Sequence, residues 1–117
     1  MPRPLKRGKC TIISIIDNIT NKPYTDNWRE NYIGTIGHAV IEESIHKCPG
    51  DNMLYFENEN RYIYTSPGKL ILETESEVGK SYKLVTKNST YKFIMSDIQE
   101  IQPSLFNKED KTYESNA

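Results

Sequence analysis

The chain has 117 residues, a formal net charge of −1 and a hydrophobic fraction of 36%. This length corresponds to one domain, and the near-neutral charge excludes a strong attraction of the whole molecule for nucleic acid or anionic membranes. Eight tyrosines stand against three phenylalanines and one tryptophan. Because tyrosine suits half-buried strand faces, this composition favours a small β protein.

The first predicted element is a strand. Residues 9–16 are rich in β-branched side chains and apolar on both faces, which predicts a central or covered strand. Residues 1–8 before it are predicted to form a basic extended arm. The turn-rich segment 17–31 follows and, at about fifteen residues, is longer than most connections in a compact domain. Its length makes it a candidate binding loop, and its aromatic and charged side chains include those of Tyr24, Asp26, Trp28 and Arg29, with Tyr32 directly after the segment.

Two glycines open the next predicted strand. Gly34 and Gly37 precede an apolar run that ends at Ile41. Glycine adopts positive φ or lets a neighbouring strand pass closely, so this pair predicts a bulge or a sharply curved strand. We expect Ala39 and Ile41 on one face of the strand and Val40 on the other.

Short alternating segments separated by turn residues follow. One hairpin is predicted around residues 58–60. Another is predicted around residues 88–89, and its shared apolar face comprises Tyr82, Leu84, Thr86, Tyr91, Phe93 and Met95. Asp97 with Glu100 three residues later is typical of a capping box, which predicts one helical turn over residues 97–101. Residues 103–117 are polar and are predicted to form a flexible tail.

Short strands at regular spacing predict a closed all-β fold, because closure protects sheet edges. The stretches 8–13 and 34–40 resemble the KOW-type variant of the SH3-like barrel, with Gly34, Gly37 and Val40 matching its glycine and valine pattern. Glu42 and Glu43 stand where that family usually carries basic residues. The resemblance implies a small SH3-like barrel over residues 9–102, with about five to seven short antiparallel strands and a one-turn helix near the C-terminus. It also implies a nucleic-acid or ribonucleoprotein partner.

No catalytic signature is present in the sequence. Cys10, His38, His46 and Cys48 are soft metal ligands, but their spacing does not match that of zinc sites. A lone cysteine in an apolar strand behaves as a small hydrophobic residue. We therefore expect no enzyme activity, no metal, no cofactor and no small-molecule substrate.

Two binding surfaces are predicted instead. The first joins the basic arm to outward lysines of the last hairpin, and its members are Arg3, Lys6, Arg7, Lys9, Lys83, Lys87 and Lys92. These side chains either form a positive stripe that contacts phosphates or protect a solvated strand edge. The second surface is the loop around Trp28, since Trp, Tyr and Arg dominate protein–protein hot spots. Alternatively, Trp28 plugs one end of the barrel.

The function that these features favour is non-catalytic binding of nucleic acid or a nucleoprotein. The alternative is a protein-interaction or inhibitor protein, of the kind that accompanies mobile elements, acting through the Trp28 loop. The two cysteines form no paired motif, and neither a signal peptide nor a membrane span is recognisable. We therefore expect a cytoplasmic protein with reduced thiols and no membrane partner.

Overall fold

The computed structural model describes residues 3–25, 27–45, 48–59 and 61–101. Their strands form one antiparallel sheet of eight strands in the order β5-β4-β3-β1-β8-β7-β6, with β2 paired to β1. The strands are β1 (Arg3–Asp17), β2 (Lys22–Pro23), β3 (Ile36–Glu43), β4 (Asn52–Asn58), β5 (Arg61–Tyr64), β6 (Lys69–Glu75), β7 (Lys80–Val85) and β8 (Ser89–Glu100), and a 3₁₀ helix spans Trp28–Tyr32. Across these ranges, no helix has both the length and the apolar character required to cross a membrane.

The predicted all-β class is confirmed. The prediction of five to seven short strands is wrong, because the described residues form eight strands, two of them long, and the predicted helical turn near the C-terminus is also wrong. β1 has 15 residues and β8 has 12. Residues 97–100 belong to β8 because β1 offers them backbone partners: Arg7 pairs with Gln99 and Lys6 with Glu100. Asp97 has a φ of 52° and lies where the register between β1 and β8 shifts, which marks a β-bulge.

The sheet curls around the buried side chains of its central strand, β1. The buried cluster comprises Cys10, Ile12, Ile15, Tyr32, Ala39, Ile41, Leu54, Phe56, Ile63, Tyr82, Leu84, Tyr91, Phe93 and Met95. Asn52 and Gly68 exchange two backbone hydrogen bonds, of 2.8 and 2.9 Å, which join the start of β4 to the residue before β6. Strands β5 and β6 lie at opposite ends of the strand order. The sheet is therefore curled but not closed, in contrast to the closure that the sequence predicts.

The glycine pair performs both predicted roles. Gly34 has a φ of +80°, and a Cβ added to Gly37 would lie 2.1 Å from the carbonyl oxygen of Glu57 on β4. Ala39 and Ile41 are buried on one face of β3, as predicted. Gly34 therefore supplies the bend before β3, and Gly37 lets β4 approach closely.

Both predicted hairpins are present. In the β4–β5 hairpin, Phe56 pairs with Ile63. In the β7–β8 hairpin, the predicted apolar face is buried, and Tyr82 pairs with Phe93. Residues 3–8 of the predicted arm lie in β1, where most of them pair with β3, β8 or both. The predicted tail, residues 103–117, lies outside the described residues.

Candidate nucleic-acid interface

The face of the sheet that points away from the core, hereafter the outer face, carries two rows of polar and aromatic side chains. Residues directly opposite each other in an antiparallel sheet share a face. The first row crosses five strands and comprises Tyr64, Tyr55, Val40, Arg7 and Gln99. The second row runs beside it and comprises Tyr62, Glu57, His38, Lys9 and Ser96.

A groove with a volume of about 550 Å³ lies along these rows. Its walls include the side chains of Arg7, Lys9, Tyr55, Glu57 and Asp97. Asp97 reaches this lining from the β8 bulge, and bulges commonly redirect a side chain in this way. The charges of Arg7 and Lys9 balance those of Glu57 and Asp97, so these groove residues together have no formal net charge.

Three tyrosines form a cluster at the β5 end of the rows. The Tyr55 ring stacks on that of Tyr62, with centroids 5.9 Å apart, and meets that of Tyr64 edge-on at 6.0 Å. The side chain of Tyr62 is 63% exposed. We call Tyr55, Tyr62 and Tyr64 the tyrosine cluster. Its exposed rings offer flat apolar surface at the edge of the groove.

Two acidic residues fix two of the three hydroxyl groups of the tyrosine cluster. The Tyr55 hydroxyl donates a hydrogen bond of 2.7 Å to Glu57 Oε1, and the Tyr64 hydroxyl donates one to the Glu42 carboxylate. Burial and the bond to Glu42 together raise the pKa of Tyr64 to about 12. The rings of Tyr55 and Tyr64 are therefore held in position, and the carboxylates of Glu57 and Glu42 are engaged in holding them.

The seven predicted basic residues divide between different places. Arg7 and Lys9 lie on the outer face beside the groove. Lys83 and Lys92 lie on the same face as direct register partners, and Lys92 also pairs with Ser14 of β1. Ser14 is about 17 Å along the strand from Lys9, at about 3.3 Å per residue. The outer face thus carries two basic patches, separated by a row that includes the exposed Ile36 and Ile94.

The other three basic residues are not part of these patches. Arg3 forms an ion pair with Glu43. The Nζ atom of Lys6 lies 3.7 Å from a carboxylate oxygen of Glu100 and 5.6 Å from the centroid of the Tyr82 ring. Lys87 lies in the turn between β7 and β8. The structure therefore places four of the seven on one face, in two patches rather than a single stripe.

The candidate binding loop presents Trp28 to solvent. Trp28 is 50% exposed. The guanidinium carbon of Arg29 lies 4.5 Å from the ring centroid of Trp28 and 4.5 Å from that of Tyr24, a cation–π geometry. Asp26 lies outside the described residues. Arg29 therefore packs between two aromatic rings and holds the Trp28 side chain at the surface.

Tyr32, rather than Trp28, enters the core from this loop. Tyr32 is buried, its ring meets that of Phe56 edge-on at 6.1 Å, and its hydroxyl donates to the Tyr62 carbonyl at 3.1 Å. The last contact links the loop to β5, the strand that carries Tyr62 and Tyr64 of the tyrosine cluster.

The structure separates the candidate metal ligands that it describes. Cys10 is buried in the core and pairs with Gly37, whereas His38 lines the groove on the outer face. Cys48 is exposed, and His46 lies outside the described residues. Within residues 3–25, 27–45, 48–59 and 61–101, no three or more His, Cys, Asp or Glu side chains are placed to hold a metal ion.

Cys10 has the properties of a core residue. Burial raises the pKa of its thiol to about 12. The thiol is therefore protonated at neutral pH, and a protonated, buried thiol is a poor nucleophile.

Comparison with models of known families, with curated proteins and with solved structures gives no match.

Proposed function

We propose that the chain is a non-catalytic module that binds single-stranded nucleic acid, free or within a nucleoprotein, on its outer face. The proposal is carried by one observation: the tyrosine cluster lies in the same two rows as Arg7 and Lys9. Unpaired bases stack on exposed aromatic rings while neighbouring cations contact the phosphates.

Single-stranded rather than duplex nucleic acid fits this surface best. The rings of Tyr62 and Tyr64 are available for stacking only to bases that are not already stacked in a helix. Each stacked base contributes about 1–3 kcal/mol. Because Glu57 and Asp97 lie among the cations, we expect the tyrosine cluster to contribute more to affinity than the phosphate contacts, and the affinity to be about micromolar.

The basic patch of Lys83 and Lys92 extends this surface. It lies on the same face and contacts phosphates further along a bound strand. Lys83 and Lys92 are therefore included in the proposed binding surface, while Arg3, Lys6 and Lys87 contribute at most long-range attraction.

A relation to SH3-like barrels of the KOW type is part of this proposal. It is supported by the curled antiparallel sheet and by Gly34 and Gly37 around the bend into β3. A cytoplasmic location is also proposed, and the two free cysteines support it.

Neutralising Lys9 is expected to weaken binding, whereas neutralising Lys80 is not. Lys80 is a matched control because it pairs in register with the buried Met95, on the core side of the sheet. Fluorescence anisotropy with a labelled single-stranded oligonucleotide, measured over a range of salt concentrations, tests this. Lys9→Gln reduces the slope of log affinity against log salt by about 0.7, the value for one phosphate contact on a single strand.

Two outcomes contradict the proposal. One is an equal loss of affinity in Lys9→Gln and Lys80→Gln, which indicates attraction to overall charge only. The other is no binding of single-stranded DNA or RNA by the wild type at low salt.

Replacing Tyr62 by alanine is expected to reduce affinity by about tenfold, which corresponds to the loss of one base–ring stack. Tyr62→Phe keeps the ring and is expected to retain wild-type affinity, because no hydrogen bond of the Tyr62 hydroxyl is observed among the described residues. The same anisotropy assay measures both variants. Equal affinity of Tyr62→Ala and the wild type would show that the tyrosine cluster is not the binding surface.

A protein-interaction function through the Trp28 loop is a second candidate, favoured by the exposed Trp28 ring that Arg29 holds in place. The substitution Trp28→Ala separates the two functions. It leaves nucleic-acid affinity unchanged if the outer face is the site, and it abolishes binding of a protein partner if the loop is the site.

A further inference from the structure

β6 is an open edge of the sheet with exposed apolar side chains. Within the described ranges its strand residues pair with β7 alone. Ile71 and Leu72 are 43% and 47% exposed. An unpaired edge of this kind accepts a further strand.

We propose that the β6 edges of two copies of the chain pair antiparallel about a two-fold axis at Ile71, forming a homodimer with a sheet continuous across it. In this register Ile71 faces Ile71 of the second copy. Leu70 faces the second copy's Leu72, and Lys69 faces its Glu73. Apolar residues thus face apolar residues, and each lysine faces a glutamate. A two-fold interface requires such self-complementarity.

The backbone supports this register. The N–H and C=O of Gly68 bond to Asn52, so they point to the side of β6 opposite to β7. Backbone groups alternate in direction along a strand, so those of Leu70 and Leu72 point to the same open side. A two-fold axis at Ile71 brings each Leu70 opposite a Leu72, and these pairs can exchange both of their N–H···O bonds.

The charges support the same register at both ends. Lys69 Nζ lies 2.6 Å from Asp51 Oδ1 in the monomer, and the Lys69 side chain remains largely exposed. It can therefore contact Glu73 of the second copy without leaving Asp51. Because the axis is two-fold, each dimer contains this lysine–glutamate contact twice.

The geometry of β6 limits the length of the paired segment. The β6–β7 register shifts between Leu72 and Thr74, which places a bulge at Glu73. A bulge bends the edge and ends regular pairing. The paired segment is therefore residues 69–73, and this short interface predicts a reversible dimer.

A charge swap tests the dimer and its register together. Lys69→Glu and Glu73→Lys each place like charges at both ends of the interface, so each variant alone is expected to dimerise more weakly by on the order of tenfold. An equimolar mixture of the two variants restores both attractive contacts and is expected to form a heterodimer of wild-type strength. Sedimentation velocity over a range of protein concentrations measures all three samples, and circular dichroism verifies that each variant is folded.

Glu75→Lys is the matched control. It reverses a charge on the same strand that has no partner in the Ile71 register, so it is expected to leave dimerisation unchanged. With the two-fold axis at Leu72 instead, Lys69 would face Glu75 of the second copy. The proposed register is therefore overturned if Glu75→Lys weakens the dimer and Glu73→Lys does not. The dimer itself is overturned by a wild type that stays monomeric at several hundred micromolar, or by a mixture that fails to associate. These readouts need no nucleic acid, so they are independent of the proposed binding function.

Discussion

Gly37→Ala is expected to destabilise the protein by about 3 kcal/mol or more, because inserted atoms in a packed interior force the backbone to move. The added Cβ would lie 2.1 Å from the carbonyl oxygen of Glu57 and 3.0 Å from a ring atom of Phe56. Neither neighbour has room to move: the Glu57 oxygen is backbone of β4, and Phe56 is fully buried in the core. β3 pairs with β1 on one side and β4 on the other. The substitution therefore separates two strands at the centre of one half of the sheet.

Gly34 provides the control for this prediction. Gly34 has a φ of +80°, but nothing lies within 4 Å of the Cβ that a side chain would add there. Gly34→Asn is expected to cost about 1 kcal/mol or less, since asparagine tolerates the left-handed conformation. Urea unfolding followed by circular dichroism measures both variants. Similar losses at Gly34 and Gly37 would contradict the close approach of β4.

The β-class and both hairpins were predictable from the sequence because they depend on local patterns. Alternation with period two identified the buried faces of β7 and β8, and the turn residues identified their connection. Gly34 and Gly37 predicted the bend and the close approach for the same reason. In each case the residues that determine the structure are adjacent in the chain.

Failures occurred where partners are distant in the chain. Residues 97–101 carry a local helix signal at Asp97 and Glu100, yet this segment is mostly strand because β1 supplies backbone partners such as Arg7 for Gln99. Tertiary pairing outweighs a capping preference of about 1 kcal/mol. Residues 3–8 were predicted to be an extended arm because their strand partners, β3 and β8, are distant in the chain. No local pattern indicates that these two strands flank them.

The faces of the basic side chains were unpredictable because β1 is irregular. In β1, a register shift against β3 occurs between Pro4 and Lys6, and one against β8 occurs between Ile12 and Ser14. Each shift changes which residues share a face, so simple alternation cannot decide which basic residues of the predicted arm lie on the outer face.

The tyrosine cluster was missed although part of its signal is local. Tyr62 and Tyr64 are two residues apart in β5, so period two places them on one face. Their position next to Tyr55 depends on the β4–β5 register, and their position next to Arg7 and Lys9 depends on two further strand pairings. The candidate site thus arises from the strand order, which the sequence does not display.

Raising the pH above 9 is expected to destabilise the fold through Cys10. Burial raises the pKa of this thiol from its ordinary value of 9.0 to about 12. Below pH 9 the thiol is protonated in the folded and unfolded states, so its contribution to stability is fully present. Between pH 9 and 12 the unfolded chain releases a proton that the folded chain retains, and the free energy of unfolding falls by about 1.4 kcal/mol per pH unit. The total loss by pH 12 is about 4 kcal/mol.

Urea unfolding between pH 7.5 and 11 measures this effect in the wild type and in Cys10→Ala. The variant is less stable at pH 7.5, because a buried side chain has been truncated, but it lacks the buried thiol. The stability difference between the two proteins is therefore expected to shrink steadily above pH 9. Ionisation of tyrosines and lysines is common to both proteins and cancels in this difference. That includes Tyr64, whose pKa is raised from 10.0 to about 12, so its contribution to stability falls between pH 10 and 12 in both proteins.

Cys48→Ala is the matched control, because Cys48 is exposed whereas Cys10 is buried. We expect its stability to follow the wild-type pH profile. A profile of Cys10→Ala that runs parallel to the wild type from pH 9 to 11 would show that the Cys10 thiol ionises without unfolding. Since Cys10 lies on the central strand and pairs with both Gly37 and Met95, such a result would mean that water reaches the middle of the sheet. A shrinking difference instead shows that β3, β1 and β8 exclude water as one packed unit.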